Sequence, residues 1–378
     1  MTATASHQLH ERIAALIRGD TTSWEGLDVT PEEWQRFCDD QGLSGLVYYQ
    51  LRGAEGTDWP AEVRDDLEQT ARGRVAQEIL LRRELNAALA LLADGGVHPI
   101  LLKGTALAYS CYPAPGQRPR EDTDLLIRRD DVERVRAILR GHAYREPAYC
   151  DGELLFCQFE MQKLDQFGFS HALDFHWKIS TQALFANLLS YDELAETAVA
   201  IPSLGPDARA PGLLHSLLLA CVHPVMHHRG EERLLWVYDV HLLASGLSSA
   251  EWDTFVTLAR LKRVSAICHA QLLLATSRFG TPAPPEILET LGSESADEPT
   301  VAYLSAGRRW HDEVESNLRG LRTWRERLQL LREIALPSAS YMMKSYHLPD
   351  RALTRTVLPL LYAVRGIRGV IKVVRGIK

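Results

Sequence analysis

Apolar positions in the first quarter of the chain recur with the period of an α-helix. A helix predicted over residues 6–18 places four apolar side chains on one face: Leu9, Ile13, Leu16 and Ile17. The sequence TPEEW from Thr30 is typical of a helix start, because threonine caps the first turn, proline fits it and acids favour it. This second helix runs towards Asp40, and a third is predicted over residues 44–51.

The longest helical pattern covers residues 61–92 and ends at the Asp-Gly-Gly sequence that begins at Asp94. Its apolar residues in helical register are Val63, Leu67, Ala71, Val75, Ile79, Leu85 and Leu89. These helices together predict an N-terminal helical region, residues 1–95. That region either packs over the rest of the protein or recognises substrate.

From residue 97 the apolar pattern changes to the two-residue period of strands. We predict strands at 98–102, 123–127, 153–160 and 167–177, a weak strand near 143–146, and helical pieces at 106–112 and 130–140. Strands and helices within one segment predict an α+β core over residues 96–205.

A stretch rich in proline and glycine, residues 201–212, predicts a domain boundary. Beyond it the patterns are helical, at 213–228, 231–244, 249–260, 264–278, 285–291, 301–318 and 323–336. Residues 206–378 are therefore predicted to form a C-terminal helical region. From residue 351 onwards this region has seven basic residues and no acid. This basic, partly apolar tail either packs as a terminal helix or makes weak contact with an anionic membrane surface.

Three aspartates stand out against this pattern. Asp122 and Asp124 are one residue apart at the start of an apolar run, and alternate residues of a strand project from the same face. Two adjacent carboxylates repel unless a cation lies between them, and Mg²⁺ is the hard ion that prefers such oxygens. Asp174 lies in the middle of an apolar strand, where an unpaired charge is costly. The alternatives are that Asp122 caps a turn and that Asp174 pairs with an arginine.

Composition narrows the class of protein. The chain has 378 residues, of which 24% are charged and 46% hydrophobic, as in ordinary globular proteins. A net charge of −7 argues against an extensive nucleic-acid interface. The six cysteines form no CxxC pair, so a structural zinc site is not expected. Neither a signal-peptide pattern nor an apolar run of membrane-spanning length is present, and we expect a cytoplasmic protein.

Five segments occur in a characteristic order: LLKGTALA, RPREDTDLLI, LDFHWKI, LLHSLLLACVH and LLWVYDVHLL. Their combination resembles the DNA polymerase beta nucleotidyltransferase superfamily. More narrowly, residues 97–245 are similar to the bacterial family of uncharacterised nucleotidyltransferases. The resemblance implies a nucleotidyltransferase-type mixed sheet within an α+β fold, flanked by N- and C-terminal helical domains.

The resemblance also implies an activity. Such an enzyme would move a nucleoside monophosphate from a nucleoside triphosphate (NTP) to a small-molecule or peptide acceptor and release pyrophosphate. Asp122, Asp124 and Asp174 would then be the catalytic residues and the ligands of Mg²⁺. The alternatives are a catalytically silent binding protein of the same fold, or an enzyme that acts on a protein or an RNA.

The resemblance assigns nucleotide binding to residues of the Gly-Thr turn and of the loop that follows it. Lys103, Arg118 and Arg120 would neutralise phosphate charge, although Lys103 is alternatively a solvated strand end and the arginines ordinary loop charges. Gly104 would let the backbone approach the triphosphate, and Thr105 would donate hydrogen bonds to it.

Two further residues are assigned less narrowly. His176 shares a strand face with Asp174 and would contact phosphate or support the metal site. Asp239 would orient or deprotonate the acceptor, or would pair with Arg233 instead. Four histidines lie in or near one predicted helix: His215, His223, His227 and His228. They either pack and form hydrogen bonds, contact the acceptor, or bind zinc. The glutamate that follows the first histidine of an HExxH zinc motif is missing here.

Overall fold

A computed structural model describes most of the chain. The described residues are 3–20, 23–27, 29–52, 58–147, 157–228, 230–293, 297–304, 310–321, 323–349 and 355–375. They form two compact units. The first contains Met1–Ala90, Leu101–Thr123 and Thr197–Leu304; the second contains Leu91–Ile100, Asp124–Glu196 and Ser305–Lys378. The division of the sequence at residues 95 and 205 stays a prediction.

The first unit is built almost entirely from helices. They are α1 (Ala3–Arg18), α2 (Pro31–Gln41), α3 (Ser44–Leu51), most of α4 (Ala61–Asp94), α5 (Lys103–Ser110), α9 (Leu213–His227), α10 (Leu234–Ser245), α11 (Ser249–Leu261), α12 (Ser265–Phe279) and α13 (Pro285–Ser293). A two-stranded sheet of β5 (Val199–Ala200) and β6 (Arg209–Ala210) adjoins them. The predicted start of α2 is confirmed, because Thr30 and Glu33 form a reciprocal capping box.

One face of α4 differs from its prediction. Val75 and Ile79, expected in the core, are 42% and 54% exposed. Glu78 is buried instead, because its carboxylate pairs with a buried arginine described below. At this point of α4 the buried face therefore carries the polar residue Glu78 in place of the apolar residues expected there. The pattern of hydrophobic residues in the sequence cannot show such a contact.

The second unit contains most of a small mixed sheet, in the order β1-β2-β4-β3. The strands are β1 (Ile100–Leu101), β2 (Thr123–Leu126), β3 (Gln158–Leu164) and β4 (Ser170–His176). The helices are α6 (Val132–Arg140), α7 (Ala183–Ala186), α8 (Tyr191–Glu196), α14 (Trp310–Gly320), α15 (Trp324–Ala335), α16 (Ala339–Ser345) and α17 (Leu358–Arg375). The fold is therefore α+β, as predicted.

Strands β3 and β4 pair antiparallel, with Phe159 opposite Phe175 and Glu160 opposite Asp174. The two phenylalanine rings stack at 5.2 Å on the buried face of the pair. Asp174 lies on the other face, as the alternation of residues in β4 predicted.

Several predicted boundaries move. The strand expected at 153–160 is β3, which begins at Gln158, and its predicted first residues lie outside the described ranges. The weak strand at 143–146 is only a bridge from Arg145 to Gln162. The helix predicted over 301–318 corresponds to a 3₁₀ turn, Pro299–Leu304, and to α14. None of the helices in the described ranges has the length and apolarity needed to cross a membrane.

Candidate functional site

Two carboxylates and one imidazole meet on neighbouring strands of the second unit. Asp124 lies on β2, and Asp174 and His176 lie on β4, where their spacing puts both on one face. One donor atom of each residue lies within 4.8 Å of the other two. The main chain joins the strands here, because Ile127 N donates to His176 O at 2.8 Å. We call Asp124, Asp174 and His176 the acid–histidine cluster.

The cluster is largely shielded from solvent and internally hydrogen-bonded. His176 Nε2 lies 2.8 Å from Asp124 Oδ1 and 3.4 Å from Asp174 Oδ2. Asp124 is 7% exposed and His176 4% exposed. Gln158, on the adjacent strand β3, donates from Nε2 to Asp174 Oδ2 at 2.9 Å. Sequence analysis missed Gln158, because its position depends on the register of β3 against β4.

The donor set fits a divalent cation. The two carboxylates suit Mg²⁺ or Mn²⁺ and would leave coordination positions for water and phosphate, whereas the imidazole is a ligand more typical of transition metals such as zinc or iron. Burial of two acids within one cluster is costly without positive charge between them. In the described residues, no other group of three acids, histidines or cysteines brings donor atoms this close.

Asp122 differs from the two acids of the cluster. Strand β2 begins at Thr123, so Asp122 lies one residue before the strand, and its side chain is exposed. Side chains alternate between two faces only within a strand. Since Asp122 lies outside β2, the alternation does not determine whether its side chain points the same way as that of Asp124. The group of close donor atoms does not include it.

The Lys-Gly-Thr sequence forms the first turn of α5, which begins three residues before its predicted start at Ala106. Lys103 has φ +48°, an uncommon left-handed conformation for a residue with a side chain. Such backbone strain tends to be retained at functional positions. Gly104 is required for a different reason. A Cβ atom there would lie 2.5 Å from Arg118 Nη1, so the guanidinium occupies the space that any side chain would need.

A model of the family described as uncharacterised nucleotidyltransferase matches residues 28–280, which is more than half of the chain. The chain belongs to this nucleotidyltransferase family. A comparison with curated protein sequences finds no match. The match spans the Gly-Thr turn and all three members of the acid–histidine cluster, so both features lie within the part of the chain that defines the nucleotidyltransferase family.

Arg118, in the loop that follows α5, is held by Asp239 of α10. Arg118 Nε and Nη2 donate to the two carboxylate oxygens of Asp239 at 2.8 and 2.6 Å, and both side chains are buried. Tyr112 also donates its hydroxyl to Asp239 Oδ1 at 2.7 Å. Burial, with the nearby carboxylate, raises the pKa of Tyr112 well above its usual value and keeps it a donor. Asp239 thus pairs with Arg118 rather than with Arg233, the partner considered from sequence.

Arg120 is held in the same way by Glu78. Arg120 Nε and Nη2 donate to Glu78 at 3.1 and 2.6 Å. Its Nη1 donates to the hydroxyls of Thr105 at 3.2 Å and Thr123 at 2.7 Å. Tyr109 completes the contact by donating its hydroxyl to Glu78. Both arginines that were predicted to bind phosphate therefore form buried ion pairs, Arg118 with Asp239 and Arg120 with Glu78, and their part in phosphate binding stays a prediction.

The histidines of α9 surround a tryptophan. His228 lies 4.1 Å from the Trp236 ring and His223 5.2 Å from it, measured between ring centroids. His215 Nδ1 lies 2.9 Å from the hydroxyl of Thr197. None of these histidines joins a group of close donor atoms in the described ranges. The contacts are those of aromatic packing and hydrogen bonding, which was one of the alternatives for this group.

Proposed function

We propose that the protein transfers a nucleoside monophosphate from an NTP to a small-molecule or peptide acceptor and releases pyrophosphate. The acid–histidine cluster supports this proposal, because it offers a cation site in a chain of the nucleotidyltransferase family. We propose Mg²⁺ as the ion, since Mg²⁺ is usually bound by one or two carboxylates together with substrate phosphates.

Each residue of the cluster has a part in this proposal. Asp124 and Asp174 would hold the cation, and the hydrogen bond from His176 would fix the orientation of Asp124. Gln158 would do the same for Asp174. When bound, the cation would polarise the α-phosphate and relieve charge on the leaving pyrophosphate. Asp122 remains a proposed further ligand.

The proposed reaction uses substrates of the cytoplasm, and we propose that location. The cysteines of the described residues form no disulfide bonds with one another, which fits a reducing compartment. The acidic net charge favours a small-molecule or peptide acceptor over RNA. Which acceptor and which base the enzyme selects depends on a few pocket contacts that the fold does not determine.

The deciding experiment compares wild type with Asp124→Asn. Mg²⁺ together with each NTP in turn should raise the melting temperature of wild type, because a ligand that binds only the folded state stabilises it by RT ln(1 + [L]/Kd). Asn keeps one hydrogen-bond acceptor for His176 but lacks the charge that balances the cation. The variant should fold, gain no stability from Mg²⁺–NTP, and lose about 10²-fold or more in pyrophosphate release.

Asp130→Asn is the matched control, since Asp130 is an exposed aspartate of the same unit. It should behave as wild type in both assays. Equal stabilisation and equal pyrophosphate release by Asp124→Asn would exclude the cluster as the catalytic metal site. A wild type that Mg²⁺–NTP stabilises but that releases no pyrophosphate with any acceptor would instead indicate a silent binding protein.

A further inference from the structure

The second unit contains a cavity of about 330 Å³ beyond the end of β4. Its lining residues come from the segment that follows β4, from α7, and from α14 and α15, and all of them belong to this unit. A cavity of this volume holds a small organic molecule. Helices α14 and α15 lie outside residues 28–280, so the family match does not indicate which ligand the cavity takes.

Specific contacts between α7 and α14 hold the walls of this cavity together. The main-chain nitrogen of Ala183 donates to Asn317 Oδ1 at 2.7 Å. This hydrogen bond occupies the amide oxygen of Asn317 and leaves its Nδ2 as a donor. Gly320 allows the close approach, because a Cβ atom there would lie 3.3 Å from Leu184 N and 3.4 Å from Ala183 Cβ. The cavity is therefore a built feature of the unit.

One part of the cavity lining is apolar and the other part is polar. Ala186, Leu321 and Leu330 line the cavity and are themselves buried. An apolar group placed against them is stabilised in proportion to the area that it removes from water. Thr181 and Asn187 belong to the polar part. The lining therefore suits a ligand that has an apolar end and a polar end.

Two residues of opposite charge line the cavity without pairing with each other. Lys178 follows β4 and is half-buried, and Glu326 lies in the first turn of α15. Lys178 forms no ion pair with any carboxylate of the described residues. Glu326 is held in place, because its Oε2 accepts from Thr323 N at 2.8 Å. An ammonium group and a carboxylate that share a small cavity in this way complement a ligand that carries both charges.

The cavity is close to the acid–histidine cluster. Lys178 follows His176, the last residue of β4, by two positions, so their Cα atoms are at most about 7 Å apart. Both residues belong to the second unit. A ligand in the cavity therefore has the group that binds Lys178 on the side of the proposed cation site.

We propose that this cavity is the acceptor site and that the acceptor is a free α-amino acid with an apolar side chain. The inference rests on the proposed function and assigns the chemical class of its acceptor. Lys178 and Asn317 Nδ2 bind the carboxylate of the amino acid, and Glu326 binds its ammonium group. The buried apolar residues of the lining cover its side chain.

The carboxylate is the nucleophile of such an acceptor, because the amino group stays protonated beside Glu326. One carboxylate oxygen remains on Lys178 while the other forms a bond to the α-phosphorus of the NTP. The bond from the α-phosphorus to the oxygen that bridges to the β-phosphorus breaks, and pyrophosphate leaves with the electron pair. The product is the mixed anhydride of the amino acid and the nucleoside monophosphate. This step removes no proton and needs no general base.

The first test measures the binding of L-leucine, L-valine and L-methionine, each alone, to the full chain by calorimetry without NTP or divalent cations. At least one should bind, and Lys178→Gln and Glu326→Gln should each weaken that binding about tenfold or more. Glutamine also serves at the Glu326 position of a capping box, so the second variant keeps the start of α15. The matched controls are Arg319→Gln and Glu315→Gln, exposed charges of α14 that should leave the affinity unchanged.

A second measurement separates ligand contact from a structural role. The amide of the amino acid that binds most tightly lacks the carboxylate, and wild type should bind it about tenfold more weakly or worse. Lys178→Gln should bind this amide as wild type does, because the charge that Lys178 meets is then absent from the ligand. A purely structural effect of Lys178→Gln would weaken the amino acid and the amide equally, and this outcome would contradict the proposed contact.

The outcomes distinguish this inference from the proposed function. No binding of any of the three amino acids, or equal binding by Lys178→Gln and wild type, would overturn the amino-acid site. With Mg²⁺ and NTP, the bound amino acid should promote exchange of labelled pyrophosphate into the NTP, and Lys178→Gln should lose this exchange. If pyrophosphate is released with another acceptor but no exchange depends on an amino acid, the acceptor assignment fails while the function stands. If amino-acid binding depends on Lys178 but no NTP is consumed with any acceptor, the function fails while the binding site stands.

Discussion

Three arginines of the first unit differ in whether a carboxylate neutralises them. Arg118 and Arg120 each form two hydrogen bonds with one buried acid, Asp239 or Glu78. Arg233 forms no such pair within the described residues. A bidentate buried pair fixes its arginine in one geometry but removes most of its capacity to attract a further anion. Residue type alone therefore does not identify a phosphate-binding arginine.

The pairing of Asp239 with Arg118 can be tested by a double-mutant cycle. Asp239→Asn should destabilise the protein by about 3–5 kcal/mol, because it leaves Arg118 buried without its counter-charge. Combining Arg118→Met with Asp239→Asn should cost less than the two single changes together. The measurement is urea denaturation of wild type, both single variants and the double variant.

The same cycle decides between two functions of Asp239. If Asp239 deprotonated the acceptor, Asp239→Asn would keep wild-type stability and lose the catalytic rate. A stable but inactive Asp239→Asn would thus contradict the framework role that its buried contacts indicate.

Sequence analysis could find those site residues whose relation is local. Asp174 and His176 share a strand face, the apolar context marked Asp174 as unusual, and Asp124 was singled out by its spacing from Asp122. The contact between Asp124 and His176 spans 52 positions, and the contact between Arg120 and Glu78 spans 42. Such long-range pairs depend on strand order and helix packing, which a pattern of hydrophobic residues does not specify.

At the scale of one element, the first turn of α5 combines strain and close packing. Lys103 adopts a positive φ, and Gly104 lies directly under the guanidinium of Arg118. In an ordinary helix, alanine would be more favourable than glycine by about 1 kcal/mol. Here the second position of the helix is glycine because the guanidinium of Arg118, from the following loop, occupies the space of a Cβ atom.

Gly104→Ala should therefore destabilise the protein by about 1–3 kcal/mol, the usual cost of overpacking. Arg118 could yield to the new Cβ only by losing its geometry with Asp239. Gly73→Ala is the matched control, since a Cβ at this position of α4 meets nothing within 4 Å. The control should gain up to about 1 kcal/mol in the free energy of unfolding. Equal gains in both variants would show that Arg118 moves without cost.

Element types were predictable and several element ends were not. The capping residues Thr30 and Glu33 fix the start of α2, and the sequence shows them directly. The start of α5 and the short β1 have no such signal, because α5 has no side-chain cap and β1 contains only two residues. The exposed face of α4 at Val75 and Ile79 follows from the buried Glu78–Arg120 pair, which is a tertiary contact.

At the scale of the whole molecule, charge is unevenly distributed. The net charge is −7, yet the chain from residue 351 onwards has seven basic residues and no acid. Helix α17 packs near α16, where Tyr362 donates its hydroxyl to Pro337 O at 2.6 Å. It also leaves Leu360 65% exposed and Ile367 60% exposed. Basic charge beside exposed apolar residues is the composition that suits an anionic lipid surface.

We expect the full chain to bind vesicles that contain phosphatidylserine weakly, and more weakly still as salt is raised. Removing residues 365–378 should abolish co-sedimentation with these vesicles. Vesicles of zwitterionic phosphatidylcholine, which carry no net charge, are the control and should bind neither protein. Equal binding by the full and shortened chains, or no binding by the full chain, would leave α17 with a packing role alone.

The contact between α1 and α12 has a consequence for the time course of synthesis. Arg18 donates to the main-chain oxygen of Arg278, and the side chain of Arg278 pairs with Glu11. The two helices are therefore joined by a hydrogen bond to the main chain and by an ion pair between side chains. Roughly 250 residues separate them along the chain. At about 5–20 residues per second, a ribosome needs on the order of tens of seconds to cover that distance. During this interval the apolar face of α1 lacks the cover that α12 supplies, although α3, which also contacts α1, follows it closely in the chain. The nascent N-terminus therefore exposes apolar surface of the kind that chaperones bind.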